Sequence, residues 1–317
     1  MISKKTLFFF ILFVLLQKFS AFAQGNFSKE IGIISDNDLY VTTFRDRYYT
    51  NGTFLYFKYL GKSTQRKRIH EFQIGQRMYT PNQVYESETG LRDRQYAGYS
   101  FLKYSGLSFL KNKAALKMSI EIGAMGPNSL AKEFQNVIHD LYGFQRSEGW
   151  ADQIANRFGF GIEANYTQPL LIKKRFDLHF TGQVIAGTIF TNSSIELTNR
   201  FNLFNKALDP LNNSVAFGSH LTRNSKNSSY RNELFLFFSP SLNYAFYDAT
   251  IQAKSANPYY TDTYNLVPFT YTLQIGIQYA IKRFSIEYSI LKYSKKVKEM
   301  HDKTNTYGSI KLAYRFN

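Results

Sequence analysis

Residues 304–316 read TNTYGSIKLAYRF. In an extended chain Ile310, Leu312, Tyr314 and Phe316 fall on one face, and Ser309, Lys311, Ala313 and Arg315 on the other. The preceding segment repeats the pattern, with Phe284, Ile286, Tyr288 and Ile290 opposed by Ser285, Glu287 and Ser289. Further upstream Tyr271, Leu273, Ile275, Ile277, Tyr279 and Ile281 oppose Thr272, Gln274, Gly276 and Gln278. Leu116, Met118, Ile120 and Ile122 alternate with Lys117, Ser119 and Glu121, and Phe176, Leu178 and Phe180 with Asp177, His179 and Thr181. Each is a strand with one apolar and one polar face. A soluble sandwich gives the same alternation. The segments run for about 10 to 14 residues, however, against roughly five or six for an ordinary strand. Small polar residues on the inner face also suit a wet lumen.

The N-terminus supplies a destination. Lys4 and Lys5 precede the apolar run LFFFILFVLL (7–16), and Ala21-Phe22-Ala23 follows a short polar stretch. This is the pattern of a secretory signal peptide, cut after Ala23. The apolar run is only about half of the roughly 20 residues needed to span a bilayer as a helix. The expected organisation is therefore a signal peptide at 1–23 and one outer-membrane β-barrel domain at 24–317. With no cysteine, a disulfide framework, a thiolate metal site and a lipid-modified N-terminal cysteine are all excluded. The formal charge of +16 falls to +13 when Lys4, Lys5 and Lys18 leave with the signal. For an exported chain this favours anionic lipid headgroups or lipopolysaccharide phosphates over nucleic acid, although most of these charges are explained as solvated loops and turns. The 24 Tyr and 30 Phe suit strands and membrane interfaces.

No apolar run of 18 residues follows the signal, so no transmembrane helix is expected. Strands are predicted near 28–38, 50–60, 69–80, 95–108, 113–125, 157–168, 175–188, 192–202, 231–248, 266–281, 283–295 and 304–316. Twelve is an even number, as an up-and-down antiparallel barrel with both termini in the periplasm requires. Pro240 predicts a bend or bulge in the ninth. The final Phe316 is similar to the aromatic residue that commonly closes the last strand of outer-membrane barrels. One helical insertion near 129–142 breaks the pattern: Leu130, Phe134, Val137, Ile138 and Leu141 recur at helical spacing, Asn128 or Ser129 can cap its start, and Gly143 can stop it. It is expected to pack against the barrel rim. The segments near 40–49, 81–94, 203–228 and 250–264 read as polar barrel loops.

Four constellations could carry chemistry. Asp36-Asn37-Asp38 offers three oxygen-bearing side chains suited to a hard cation such as Ca2+, and is equally an Asn-Asp turn. DRYYTNG (46–52) contains Asp46, Arg47 and Thr50, and its Asn51-Gly52 reads as a turn. Pairing of the first two strands would bring these two segments to one rim. His139 shares a helix face with Gln135 and Asn136. Around Glu148, Trp150, Asp152 and Gln153 the chain either lines a site or returns to the barrel with the single Trp as an interface anchor.

Together these segments resemble the outer-membrane lipid A 3'-O-deacylase family. The resemblance runs over NDLY (37–40), DRYYTNG (46–52), YTP (79–81), DRQYAG (93–98), GPNSLAKEFQNVIHDLYG (126–143) and GWADQIANRFGF (149–160), with a looser match of strand order to the C-terminus. The set in this order is specific, although no single segment is. It implies a twelve-stranded barrel that uses Ca2+ to remove the ester-linked acyloxyacyl chain at the 3' position of lipid A. The implied site lies between the barrel wall and a helix. In it Asn37 and Asp38 match the Asn-Asp pair, Thr50 the hydroxyl residue of the second strand, and His139 the catalytic histidine. Asp38, Asn37 and Thr50 would hold or orient the ion, while His139 takes a proton from the attacking water. Gln135 and Glu148 complete the implied catalytic set, and lipopolysaccharide is the implied partner of a monomer.

Two positions depart from the family pattern. Asn82, Gln83 and Val84 follow Pro81 where a basic residue is expected, leaving Arg77, Arg92 and Arg94 as the nearest candidates. Gln145 stands where an acidic residue is expected, and Glu148 is the nearest carboxylate. The competing reading is a non-catalytic barrel, a pore or surface-binding protein. A serine-type phospholipase fits less well, because Leu141 stands two residues after His139 where such barrels carry the serine.

Overall fold

The computed structural model describes residues 27–41, 47–62, 66–143, 149–204, 207–217, 220–222 and 232–317. The strands are β1 Lys29–Asn37, β2 Tyr48–Leu60, β3 Arg68–Thr80, β4 Ala97–Phe109, β5 Ala115–Met125 and β6 Arg157–Ile172. They continue as β7 Phe176–Gly187, β8 Phe190–Asn202, β9 Glu233–Asp248, β10 Phe269–Ile281, β11 Phe284–Ser294 and β12 Thr304–Phe316. Each pairs antiparallel with its sequence neighbours, and β1 pairs with β12, so the sheet is a closed barrel of twelve strands. Closure leaves no free edge, the condition for strands in a hydrocarbon medium.

The alternation read from the sequence sorts the two faces. Ile31, Ile33, Leu55, Phe72, Ile74, Leu102, Ile120 and Ile122 are exposed on the outer wall. The lower lumen carries paired charges. Lys58 lies against Glu30 and Glu71, Lys103 against Glu121 and Glu163, Lys117 against Glu71, and Arg315 against Glu30, all at 3.5 Å or less.

Pro240 causes no bulge. Its β10 neighbour is Leu273, and the β8–β9 register is the same on both sides of it; the shift in that pair lies at Thr191/Asn192 instead. No β8 partner is recorded for Pro240 or Ser239, so the missing amide falls in a gap of the ladder.

By the rule for such barrels, the end carrying the termini is periplasmic. Three of the turns there are short, but the β8–β9 connection folds back beneath the barrel. Leu211 and Leu221 pack with Phe27, Leu60, Ile69 and Phe109, and Val215, Ala216 and Phe217 line the lower lumen cavity. Arg200 holds this segment by donating to both carboxylate oxygens of Asp177, to Ser214 Oγ and to the Asp209 carbonyl. The sequence reading of 203–228 as an ordinary loop is thus corrected for its described part, which plugs the lumen.

At the outer end, 81–94 contains a short helix, α1 (Gln83–Thr89), capped by Asn82, whose side chain accepts from the Val84 and Tyr85 amides. The main insertion forms α2 (Ala131–Tyr142) after a 3-10 turn at Pro127–Ser129. Gly143, at φ 78°, ends α2 as expected, its amide donating to the His139 carbonyl. The start differs. Neither Asn128 nor Ser129 is the cap; Leu130 is, in the left-handed region at φ 55°, because the 3-10 turn must reverse before α2 begins. A single turn, α3 (Ala249–Gln252), follows β9.

The outer connections are tied together. Buried Asp93 accepts from Tyr48 Oη at 2.8 Å, the His301 amide at 3.0 Å and the Asn82 amide at 3.0 Å. Arg92 bridges Glu86 and Asp152, and Asp152 accepts from Asn257.

The plug predicts that purified protein in planar bilayers shows no porin-sized conductance steps; steady open channels would contradict it. The Asn257 amide and then the Arg92 guanidinium hold the Asp152 carboxyl below its ordinary range. That tie is therefore complete above the ordinary Asp value of about 3.9 and is lost only as pH falls through the lower folded value. Hydrogen exchange at the Ala256 amide, which donates to the Gln153 carbonyl, should show unchanged protection from pH 7 to 5 and weaken only in stronger acid.

Candidate active site

The outward face of the barrel wall carries one row of residues near the outer rim. Gly98 on β4 is opposite Met78 on β3, Met78 opposite Asn51 on β2, Asn51 opposite Asn37 on β1, and Asn37 opposite Gly308 on β12. Three strand spacings, about 14 Å, separate Gly98 from Asn37.

The β4 end of the row carries α2. A Cβ on Gly98 would lie 2.3 Å from the Ala131 Cβ and 2.3 Å from Ser129 Oγ, so the helix start rests directly on backbone. Gln76 Nε2 and Ser100 Oγ donate to the Ser129 carbonyl at 2.8 and 2.7 Å. Met78, Tyr96, Ala131 and Trp150 form a buried cluster between helix and wall. Trp150 is 1% exposed and donates from Nε1 to Gln135 Oε1, so it is a core residue under α2 rather than an interface anchor. Gln135 is buried as well, and it ties the helix to the 3-10 turn Gly149–Asp152. His139 lies one turn further along α2 and is half-buried.

The other end of the row holds the expected ion ligands. Asn37 ends β1, and its Oδ1 accepts the Leu39 amide at 2.7 Å. Asp38 opens a 3-10 turn, Asp38–Val41, is 0% exposed, and accepts the Arg47 amide at Oδ2. Arg47 in turn pairs with Asp302 at 2.9 Å.

Thr50 is placed by a β-bulge. Tyr49 pairs with Tyr79 and Asn51 with Met78, leaving Thr50 as the extra residue. Its hydroxyl donates to the Met78 carbonyl at 3.4 Å. The inserted residue resets the alternation, so Tyr49 donates to Asp36 Oδ2 on the lumen side while Asn51 stays in the outward row. Asn51 and Gly52 are ladder residues of β2, facing Asn37 and Asp36; the turn reading is corrected because partners on both sides hold them extended.

Strand pairing thus brings Asn37, Asp38 and Thr50 to one rim, and α2 carries Gln135 and His139 on the same wall. Glu148, Asp46 and Gln145 fall outside the described residues. Sequence reasoning did not single out Asn51 on the wall, Gly98 under the helix or Asp93 at the loop hub. Alternation on β2 could have pointed to Asn51.

The donor types suit a hard cation: the Asn37 amide oxygen and the Asp38 carboxylate offer oxygen atoms, and Thr50 donates its proton to the Met78 carbonyl, so its oxygen can still accept. Among the described residues one group of His, Asp and Glu side chains is close enough to hold a metal ion, Asp209, His220 and Glu233. It lies at the opposite end, where His220 Nε2 bonds Glu233 at 2.8 Å and Ser214 bonds the other Glu233 oxygen; it is part of the plug's anchoring.

None of the expected basic substitutes stands free on the outer wall. Arg77 is in the lumen over Phe101, Arg94 is buried and donates to Thr250, and Arg92 is ion-paired in the loops.

No curated protein matches the sequence at a significant level. Among solved structures, LpxR from Salmonella typhimurium aligns with a TM-score of 0.74 and 18% identity, covering 90% of this chain and 100% of that one. The translocator domain of the autotransporter NalP from Neisseria meningitidis aligns with a TM-score of 0.45 and 9% identity, covering 96% and 93%. The first likeness is one of fold: a closed, twelve-stranded antiparallel barrel. The sequence profile of the family described as outer membrane protein LpxR matches residues 7–316. The match runs over almost the whole chain, so the chain belongs to that family: it is an outer-membrane β-barrel of the LpxR family.

Proposed function

We propose that the protein is a Ca2+-dependent ester hydrolase that removes the 3'-O-linked acyloxyacyl chain of lipid A in the outer leaflet. The observation that carries this reading is the placement of Asn37 and of α2 on the outward face of the wall, with Thr50 at the same rim, near where lipid ester groups lie. A site reading a solute would face the lumen, which is plugged below. Family membership supports the same substrate.

In this reading Asp38, Asn37 and Thr50 would hold the ion. Bound there, Ca2+ supplies Lewis-acid stabilisation of negative charge on the carbonyl oxygen. His139 accepts a proton from water as the water oxygen bonds to the carbonyl carbon. The ester C–O bond then breaks, and the imidazolium returns the proton to the departing 3' oxygen. The products are a free acyloxyacyl acid and a 3'-hydroxyl, with no acyl-enzyme. Gln135 acts as a positioning residue, since its side chain is spent on Trp150. The same reading has residues 1–23 removed at export and 24–317 acting as a single-domain monomer.

Mass spectrometry of lipid A from cells expressing the protein tests the activity directly. The expected change is loss of one acyloxyacyl unit, suppressed by a Ca2+ chelator. An unaltered acyl pattern with folded barrel present, judged by heat-modifiable migration in electrophoresis, would refute it. His139→Ala should lower the rate by about 10²–10⁴-fold while leaving that migration unchanged. Gly98→Val should cost about 1–3 kcal/mol of stability by forcing α2 off the wall. It should also lower hydrolysis even though residue 98 touches no substrate, and full activity in that variant would show that the helix seating is not required.

A further inference from the structure

The lower and upper halves of the lumen differ in how their charges are matched. Below, lysines and arginines lie against carboxylates. Above, a cavity of about 370 Å³ is lined by Arg77, Arg94 and Lys296, and no described carboxylate forms an ion pair with any of the three.

Arg77 makes no hydrogen bond among the described residues, and its guanidinium is cushioned by the Phe101, Phe54 and Phe190 rings at 4.8, 5.8 and 5.7 Å. Arg94 is 3% exposed; its Nε and Nη2 donate to Gln95 and Thr250, and Nη1 makes no hydrogen bond among the described residues. Lys296 lies over the Tyr293 ring at 5.1 Å. The two acidic groups on the cavity are already engaged. Asp36 accepts from Tyr49 Oη, and Asp248 caps α3 by accepting from the Thr250 amide and hydroxyl. Burial, opposed by Asp248 and reinforced by Arg94 and Arg77, lowers the proton affinity of the Lys296 ammonium, as expected where cations outnumber the carboxylates around them. The rest of the polar lining includes Tyr79, Tyr307, Asn192 and Asn243, which can donate to oxygen atoms beside a bound anion.

We propose that this upper-lumen cavity is a binding site for a phosphate monoester carried on a sugar. Arg77, Arg94 and Lys296 outnumber Asp36 and Asp248 on the cavity, so the lining carries an excess of positive charge that favours an anion, and guanidinium geometry suits phosphate oxygens. The hydroxyl and amide lining suits the attached sugar. The site is on the lumen side of the wall, whereas the hydrolytic residues are on the outward side, so it stands independently of the proposed deacylation. Its position at the outer mouth makes phosphorylated sugars of outer-leaflet headgroups one source and free phosphate the other.

Calorimetric titration of the full-length protein in detergent with inorganic phosphate and with glucosamine 1-phosphate tests this. Saturable binding of one equivalent is expected, tighter for the sugar phosphate, and weakened by about tenfold or more in Arg77→Gln and in Lys296→Gln. Equal affinity for the two probes would assign the site to free phosphate and overturn the sugar component. No binding, or binding unchanged in both variants, would overturn the site altogether. Heat-modifiable migration identifies any variant that fails to fold, and Lys296→Met offers a second change outside the strands. Lipid A hydrolysis measured on the same samples reports on the outer wall separately, so failure of one reading leaves the other open to its own test.

Discussion

Everything in this molecule depends on pairing β1 with β12. In hydrocarbon a free strand edge leaves amides and carbonyls without partners at several kcal/mol each, and only closure removes the edge. Lys29 through Asn37 meet Phe316 back through Gly308 in an unbroken register. Once closed, the wall has two faces with opposite solvents, and a strand of period two must satisfy both. The outer face becomes Ile, Leu and Phe, and the inner face receives the charges. The ion pairs of the lower lumen follow, because charges drawn partly out of bulk water are stabilised by opposite charges beside them.

Within that regular wall, function requires exceptions, and they are few. One residue, Thr50, is inserted into β2, and it turns a strand that would alternate strictly into one that presents a hydroxyl at the wall and still returns Tyr49 to the lumen. One small residue, Gly98, lets a helix rest on backbone. The remaining loop contacts, with Asp93 at their centre, fix the rim against which these exceptions act.

The features legible in the sequence are those with a period. All twelve strands were expected within a few residues of their observed limits, and α2 announced itself through Leu130, Phe134, Val137 and Leu141. The cap of α2 was not legible, since Leu130 adopts a left-handed conformation that no local preference favours. Asn51-Gly52 has the composition of a turn, and only its partners on β1 and β3 make it strand. The plug was missed because its apolar residues, Leu211, Val215, Phe217 and Leu221, keep no single strand or helix period and find their partners far away in sequence. Arg77 was readable in principle. It shares parity with Glu71, Gln73 and Tyr79, so the alternation of β3 already assigns it to the lumen. The family resemblance named His139, Asn37, Asp38 and Thr50, none of which periodicity alone would have chosen.

The seating of α2 on Gly98 has a consequence for how the protein meets other molecules. In the proposed reading the site between this helix and the wall is a cleft that opens sideways into the leaflet rather than upward into water. A molecule reaching that cleft arrives by diffusion in two dimensions, and its effective concentration is its mole fraction among neighbouring lipids. Dilution of the surrounding medium leaves that quantity unchanged, whereas replacing neighbouring lipids by detergent lowers it. An inhibitor of such a cleft would need to partition into the leaflet first, so its apparent potency would track its lipid affinity as much as its fit.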